Sequence, residues 1–250
     1  MSVALVVAES EAVGLREAGD SALVLETIGP VEGSETLVQR VIRFAAGRSR
    51  PRSDDAHDEL LYVVSGSGAI ALGGQLHMLT IGAACHVTAG DVYTVDSAGD
   101  DDLVLVSVLV PPTDREGEPA QAREAVVRRE DRPEQRADAK RTYRVLFDVD
   151  SGCPHATQFV GYVEPYRAPD HSHPYDEVGY VLAGTGLAHL GGDPIAIGPG
   201  SCFHLPRGHV HCIENSGAEV MEILGVFHPA LSPADRSYDA AAEAATTATT

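Results

Sequence analysis

Short stretches of β-branched and alternating apolar residues recur along this chain, at residues 37–44, 103–110, 144–149 and 220–227. Each is bounded by turn-forming residues. No stretch holds a helical period for a convincing length, so the pattern predicts an all-β protein. It also repeats. Glu59, Gly66, Gly68 and the pair Gly73-Gly74 return 118 positions later as Glu177, Gly184, Gly186 and Gly191-Gly192, with similar apolar residues between them. Internal duplication is the direct reading, and 250 residues suit two small domains better than one.

The expected boundaries are a first unit over 1–112, a charged connector over 113–140, a second unit over 141–232 and a low-complexity tail over 233–250. The connector is poor in large apolar residues and interrupted by Pro133, which leaves room for a helical turn or two at about 120–129. The end of the tail, residues 240–250, is rich in Ala and Thr, has little to bury and is expected to fray.

Charge narrows the partners. With 18 basic against 37 acidic residues the net charge is −19, which disfavours nucleic acid and anionic membrane surfaces. The first ten residues lack a basic region, and no apolar run approaches a membrane span, so a cytoplasmic location is expected. Cys85, Cys153, Cys202 and Cys212 show no paired spacing of the zinc-cluster or dithiol kind and are read as buried, reduced thiols.

The candidate chemistry lies in His171-Ser-His173-Pro-Tyr-Asp-Glu177 and, further on, His211. Two histidines two apart on an extended segment leave the same face, with backbones roughly 7 Å apart, so one ion can take both imidazoles. The turn at Pro174-Tyr175-Asp176 leads into a second strand whose first residue, Glu177, supplies a carboxylate. His211 enters after the turn at Pro206-Arg-Gly208. His171, His173, Glu177 and His211 are therefore the expected metal ligands. His204 is a candidate proton carrier and Tyr175 a second catalytic candidate, each with packing as its plainer alternative. His209 is read as an outward loop histidine.

These segments resemble the two conserved motifs of the cupin superfamily. His-x-His, three residues, Glu, six residues, Gly is matched by His171, His173, Glu177 and Gly184. The second motif is matched by Gly200, Pro206, Gly208, His211 and Asn215. The glycine that ordinarily stands five residues ahead of His-x-His is absent. The resemblance implies two tandem jelly-roll β-barrels, with the metal inside the second. In the first unit, Ser53 and Asp55 stand where the histidines would be. Asp55, His57 and Glu59 offer too few oxygens for Ca²⁺ and too few nitrogens for a softer ion.

Three imidazoles and a carboxylate fit one divalent ion, Fe, Mn, Ni, Cu, Co or Zn, with open positions for a small polar or chelating substrate. The resemblance points first to dioxygenase-type oxidation. Redox-neutral lyase, isomerase, decarboxylase or cyclase chemistry is the alternative, and a non-catalytic binding protein is a third. A structural zinc would more commonly use thiolates, which this set lacks. The expected partner is a small-molecule substrate; because single-barrel relatives pair as dimers, the resemblance implies that the two fused barrels pack together within one chain, with a further homodimer left open.

Overall fold

The computed structural model describes residues 4–99, 101–113 and 123–234, together with the backbone of 237–238. The chain builds two antiparallel jelly-roll barrels, each a seven-stranded sheet facing a four-stranded one. In the first barrel the large sheet is centred on Asp58–Ser65, flanked by Ala83–Val87 and Leu103–Val110, with Val38–Phe44 and Ala22–Ile28 beyond. In the second, the corresponding centre is Asp176–Ala183 between Ser201–Leu205 and Met221–His228, with Thr157–Val163 and Arg141–Phe147 beyond. The duplication read from Glu59 and Glu177 is thus a duplication of strand order.

The strand Leu103–Val110 is buried along its whole length, and strand parity explains why. Val104, Val106, Val108 and Val110 face the other barrel, while Leu103 and Leu105 point into their own. Leu224 and Val226 answer from the second barrel, with Ile223 and Met221 turned inward. The two large sheets therefore share one apolar core, to which Tyr62, Leu60, Val178 and Tyr180 also belong. A strand covered on both faces carries a near-continuous apolar run rather than an alternating one, here broken by Ser107.

The barrels also exchange edge strands. Leu5–Ala8, ahead of the first barrel, pairs with Ser201–Leu205 of the second, Leu5 opposite His204 and Ala8 opposite Ser201. Val126–Arg128 pairs in turn with Ala83–Cys85 of the first barrel, and Gln135–Arg136 joins the second. Glu9 is clamped from both sides: Arg43 of the first barrel lies 2.7 Å away and Tyr180 of the second donates to it at 2.9 Å.

One expectation needs revising here. Of the segment expected to turn helically, 120–122 lie outside the described residues, while Val126–Arg128 is a strand followed by a single 3₁₀ turn at Arg129–Asp131. Pairing with an exposed sheet edge overrode a weak local preference. Within the expected tail, the backbone of Ser237–Tyr238 pairs with His171–Ser172, on the ligand-bearing segment itself. The remaining tail positions, 235–236 and 239–250, lie outside the described residues.

Candidate metal centre

The second barrel's interior brings three of the four expected ligands into a tight group. The ligand atoms of His171, His173 and His211 lie within 4.8 Å of one another, and their ring centroids form a near-equilateral triangle with sides of 4.7, 4.9 and 4.9 Å. Local backbone structure fixes this. His171 N donates to His211 O at 3.0 Å and His211 N returns the bond to His171 O at 2.9 Å, locking the two segments side by side. Gly208, with φ of +74°, turns the chain after Pro206 and donates to His173 O at 2.8 Å. Glu177 enters from the central strand, opposite Leu205 and Phe227, and its Oε2 lies 3.7 Å from His173 Nε2.

The donor set fits a divalent cation. Nδ1 of His171 donates to Pro169 O and Nδ1 of His211 to His209 O, each at 2.9 Å, which places the ring proton on Nδ1 and makes Nε2 the nitrogen that would hold an ion. Burial, reinforced by the neighbouring His211, holds His171 down to about 2 from an ordinary 6.5, and burial holds His211 down to about 4. Both rings are therefore neutral, the state a metal ligand needs.

These side chains line a cavity of about 100 Å³. Its walls are mostly apolar, with Phe159, Phe203, Leu205, Ile213 and Ile223 among them. Two glycines make room for the phenyl rings. A Cβ on Gly179 would stand 2.0 Å from Phe203, and one on Gly225 would stand 2.3 Å from Phe159 and 3.2 Å from Glu177 Oε1.

Tyr175 lines the cavity too, its ring fixed by packing. It stacks on His173 with 4.7 Å between centroids and on Phe227 with 3.9 Å. His204 does not reach the cavity, a correction to the proton-carrier expectation. Phe203 and Leu205 point inward, so His204 faces the other barrel, fully buried, with Nε2 2.9 Å from Asp176 Oδ1. Its counterpart His86 pairs in the same way with Asp58, also at 2.9 Å. Cys153 lies beside that pair, but Asp58 is committed to His86 and Ala89 N, and burial pushes the thiol up to about 12, away from a ligand form. His209 turns outward to Leu190 O, and Asn215 ties its turn to Val163 O and Glu219 O.

In the first barrel Glu59 occupies the place of Glu177, but Tyr93 Oη donates to it at 2.9 Å and Ser107 Oγ donates as well. His57 is held by Asp54 at 2.9 Å. Protein hydroxyls satisfy the carboxylate that an ion would otherwise neutralise. One residue that sequence reasoning passed over is Arg141, which lines the metal cavity from the first position of its strand. A single arginine at a connector boundary carries no motif, so no sequence signal marks it.

A search among curated proteins returns no match. The fold has many solved relatives. One is the protein described as glyoxylate-induced from Pseudomonas aeruginosa, with a TM-score of 0.77 at 19% identity over 90% of this chain and 89% of that one. Another is oxalate decarboxylase of Bacillus subtilis, with a TM-score of 0.72 at 14% identity over 92% and 78%. A further structure of the same decarboxylase, described with Mn(II) centres, gives 0.72 at 14% over 93% and 79%. At such identities the likeness speaks for the fold alone. Among the described residues no helix is long and apolar enough to cross a membrane. The family model for the cupin domain matches twice, at 40–109 and 159–227, one match in each barrel. The chain therefore belongs to the cupin family, as a two-barrel member.

Proposed function

We propose that the chain is a metal-dependent enzyme that oxidises a small chelating organic molecule in the manner of a dioxygenase, using His171, His173, Glu177 and His211 as ligands. The observation that carries this reading is that, among the described lining residues, every carboxylate and imidazole belongs to the ligand set itself. The one carboxylate is Glu177, the three histidines are the other ligands, and the remaining ionisable side chains of the described lining are Arg141 and three tyrosines. A lyase or decarboxylase needs a group that delivers or removes a proton at the substrate within hydrogen-bond reach. An oxygenase needs chiefly a dry cavity and a redox-active ion with open positions. Such an ion, when bound, would supply electron exchange with O₂ and a place for a chelating substrate.

The chain's own contribution is to keep water out and to hold the imidazoles neutral and aimed. Phe159, Phe203 and Ile223 make the apolar wall, and Tyr175 fixes the plane of His173 by stacking. The test is elemental analysis of protein purified without chelator or immobilised-metal resin, followed by O₂ uptake with a panel of chelating acids and diketones. About one equivalent of Fe, Mn, Ni or Cu with substrate-dependent O₂ uptake supports the reading. Zinc with turnover indifferent to O₂ transfers the assignment to redox-neutral chemistry, and the absence of any metal removes catalysis from the account.

A further inference from the structure

Among the described residues, protein partners hold the guanidinium of Arg141 on one side only. Its Nε donates to Asp138 Oδ2 at 2.6 Å, the same oxygen to which Tyr166 Oη donates at 3.3 Å, and its carbon lies 6.0 Å from the centre of the Tyr166 ring. The side chain is only 13% exposed. Nη2 is buried and has no hydrogen-bond partner among the described residues. Arg141 lines the same cavity as the four ligand side chains.

A guanidinium cannot shed its proton, and a buried donor left unsatisfied carries its full desolvation cost, more so when charged. Such groups call for a partner that arrives from outside. Glu177, the other charged group in the cavity, is engaged beside His173. The remaining walls are largely phenyl and aliphatic surface and offer Nη2 no acceptor of comparable strength. An anionic oxygen on the ligand meets this need best.

We propose that Arg141 anchors a carboxylate of the substrate, so that this cavity takes small organic acids with an apolar body and a metal-chelating group at the far end. This names the substrate class for the function proposed above and rests on the ligand set assigned there. The acid class follows from the buried Nη2, the apolar body from the walls, and the small size from the cavity of about 100 Å³. Asp138 and Tyr166 hold the guanidinium in place before binding, so little side-chain freedom is lost when the carboxylate arrives.

The test uses two hydroxamates of matched length on the metal-containing protein, succinic acid monohydroxamate and butanohydroxamate, which differ by a carboxylate in place of a methyl. Calorimetric titration of the parent should show the acid bound more tightly than the neutral compound by about ten- to a hundred-fold, the range of a buried charge-assisted hydrogen bond. Arg141→Gln should remove that preference while leaving butanohydroxamate binding and metal content unchanged. Arg141→Lys, which keeps the charge, should retain part of it. Equal binding of the two compounds by the parent, no binding of either, or an undiminished preference in Arg141→Gln overturns the anchor. Preference for the acid in a protein that consumes no O₂ leaves the anchor standing and removes the oxygenase reading, so the two failures are distinct.

Discussion

Acidification of the metal-free protein isolates the buried histidines. His171 and His211 are 4% and 3% exposed, so solvent screens them little, and their pKa values sit at about 2 and about 4 in the folded chain against 6.5 for the unfolded one. Above pH 6.5 both states hold neutral rings and the shift costs nothing. As the pH falls below that, the unfolded chain gains protons that the folded chain refuses, so stability is lost on acidification and the loss levels off only near each folded pKa. Between pH 6.5 and 5 each ring costs about 2 kcal/mol at 1.36 kcal/mol per unit, or about 4 kcal/mol for the pair. That is a large share of the 5–15 kcal/mol typical of a folded protein. The assay is urea unfolding of chelator-treated protein at pH 7.5 and pH 5, beside a His171→Gln/His211→Gln double variant that removes both titrations and cancels the contribution of every other group. The parent should lose about 4 kcal/mol more than the variant over that interval. Equal losses in the two proteins would show that the rings are protonated when folded and would refute the neutral-ligand argument.

Other outcomes follow from the same geometry. His173→Ala or His211→Ala should remove most of the bound metal by elemental analysis, whereas Asp55→Ala should leave it unchanged; metal lost from the Asp55 variant alone would overturn the ligand assignment. Gly225→Ala places a methyl 2.3 Å from Phe159 and 3.2 Å from Glu177, so it should lower both the melting temperature and metal occupancy, at an overpacking cost of about 1–3 kcal/mol, and parent-like values for both would contradict the tight contact. All four cysteines are buried, and burial pushes Cys85, Cys153 and Cys202 up to about 12, so Ellman's reagent at pH 8 should find thiols only after denaturant is added. Rapid labelling of the native protein would count against this burial.

The all-β class, the duplication and the residues of the candidate ligand group are legible along the chain. Each is a matter of spacing along the chain: a period of two along a strand, a glycine at a turn repeated 118 positions on, two histidines two positions apart. His171, His173 and Glu177 are legible because a single hairpin carries them, and His211 because its Pro-x-Gly turn marks the strand that returns beside them. Tertiary structure alone decided what faces what. His204 shares the ligand barrel yet turns its back on the cavity, because parity assigns alternate residues to the two faces and only the packed fold says which face is the inside. Glu59 is as acidic as Glu177 in sequence. It differs because Tyr93 and Ser107, 34 and 48 residues away, meet it in the folded barrel. The strand exchange of Leu5–Ala8 and the approach of Arg141 to the metal cavity are likewise long-range contacts. They depend on which surfaces remain to be covered once both barrels have formed, and the spacing of residues along the chain carries no record of that.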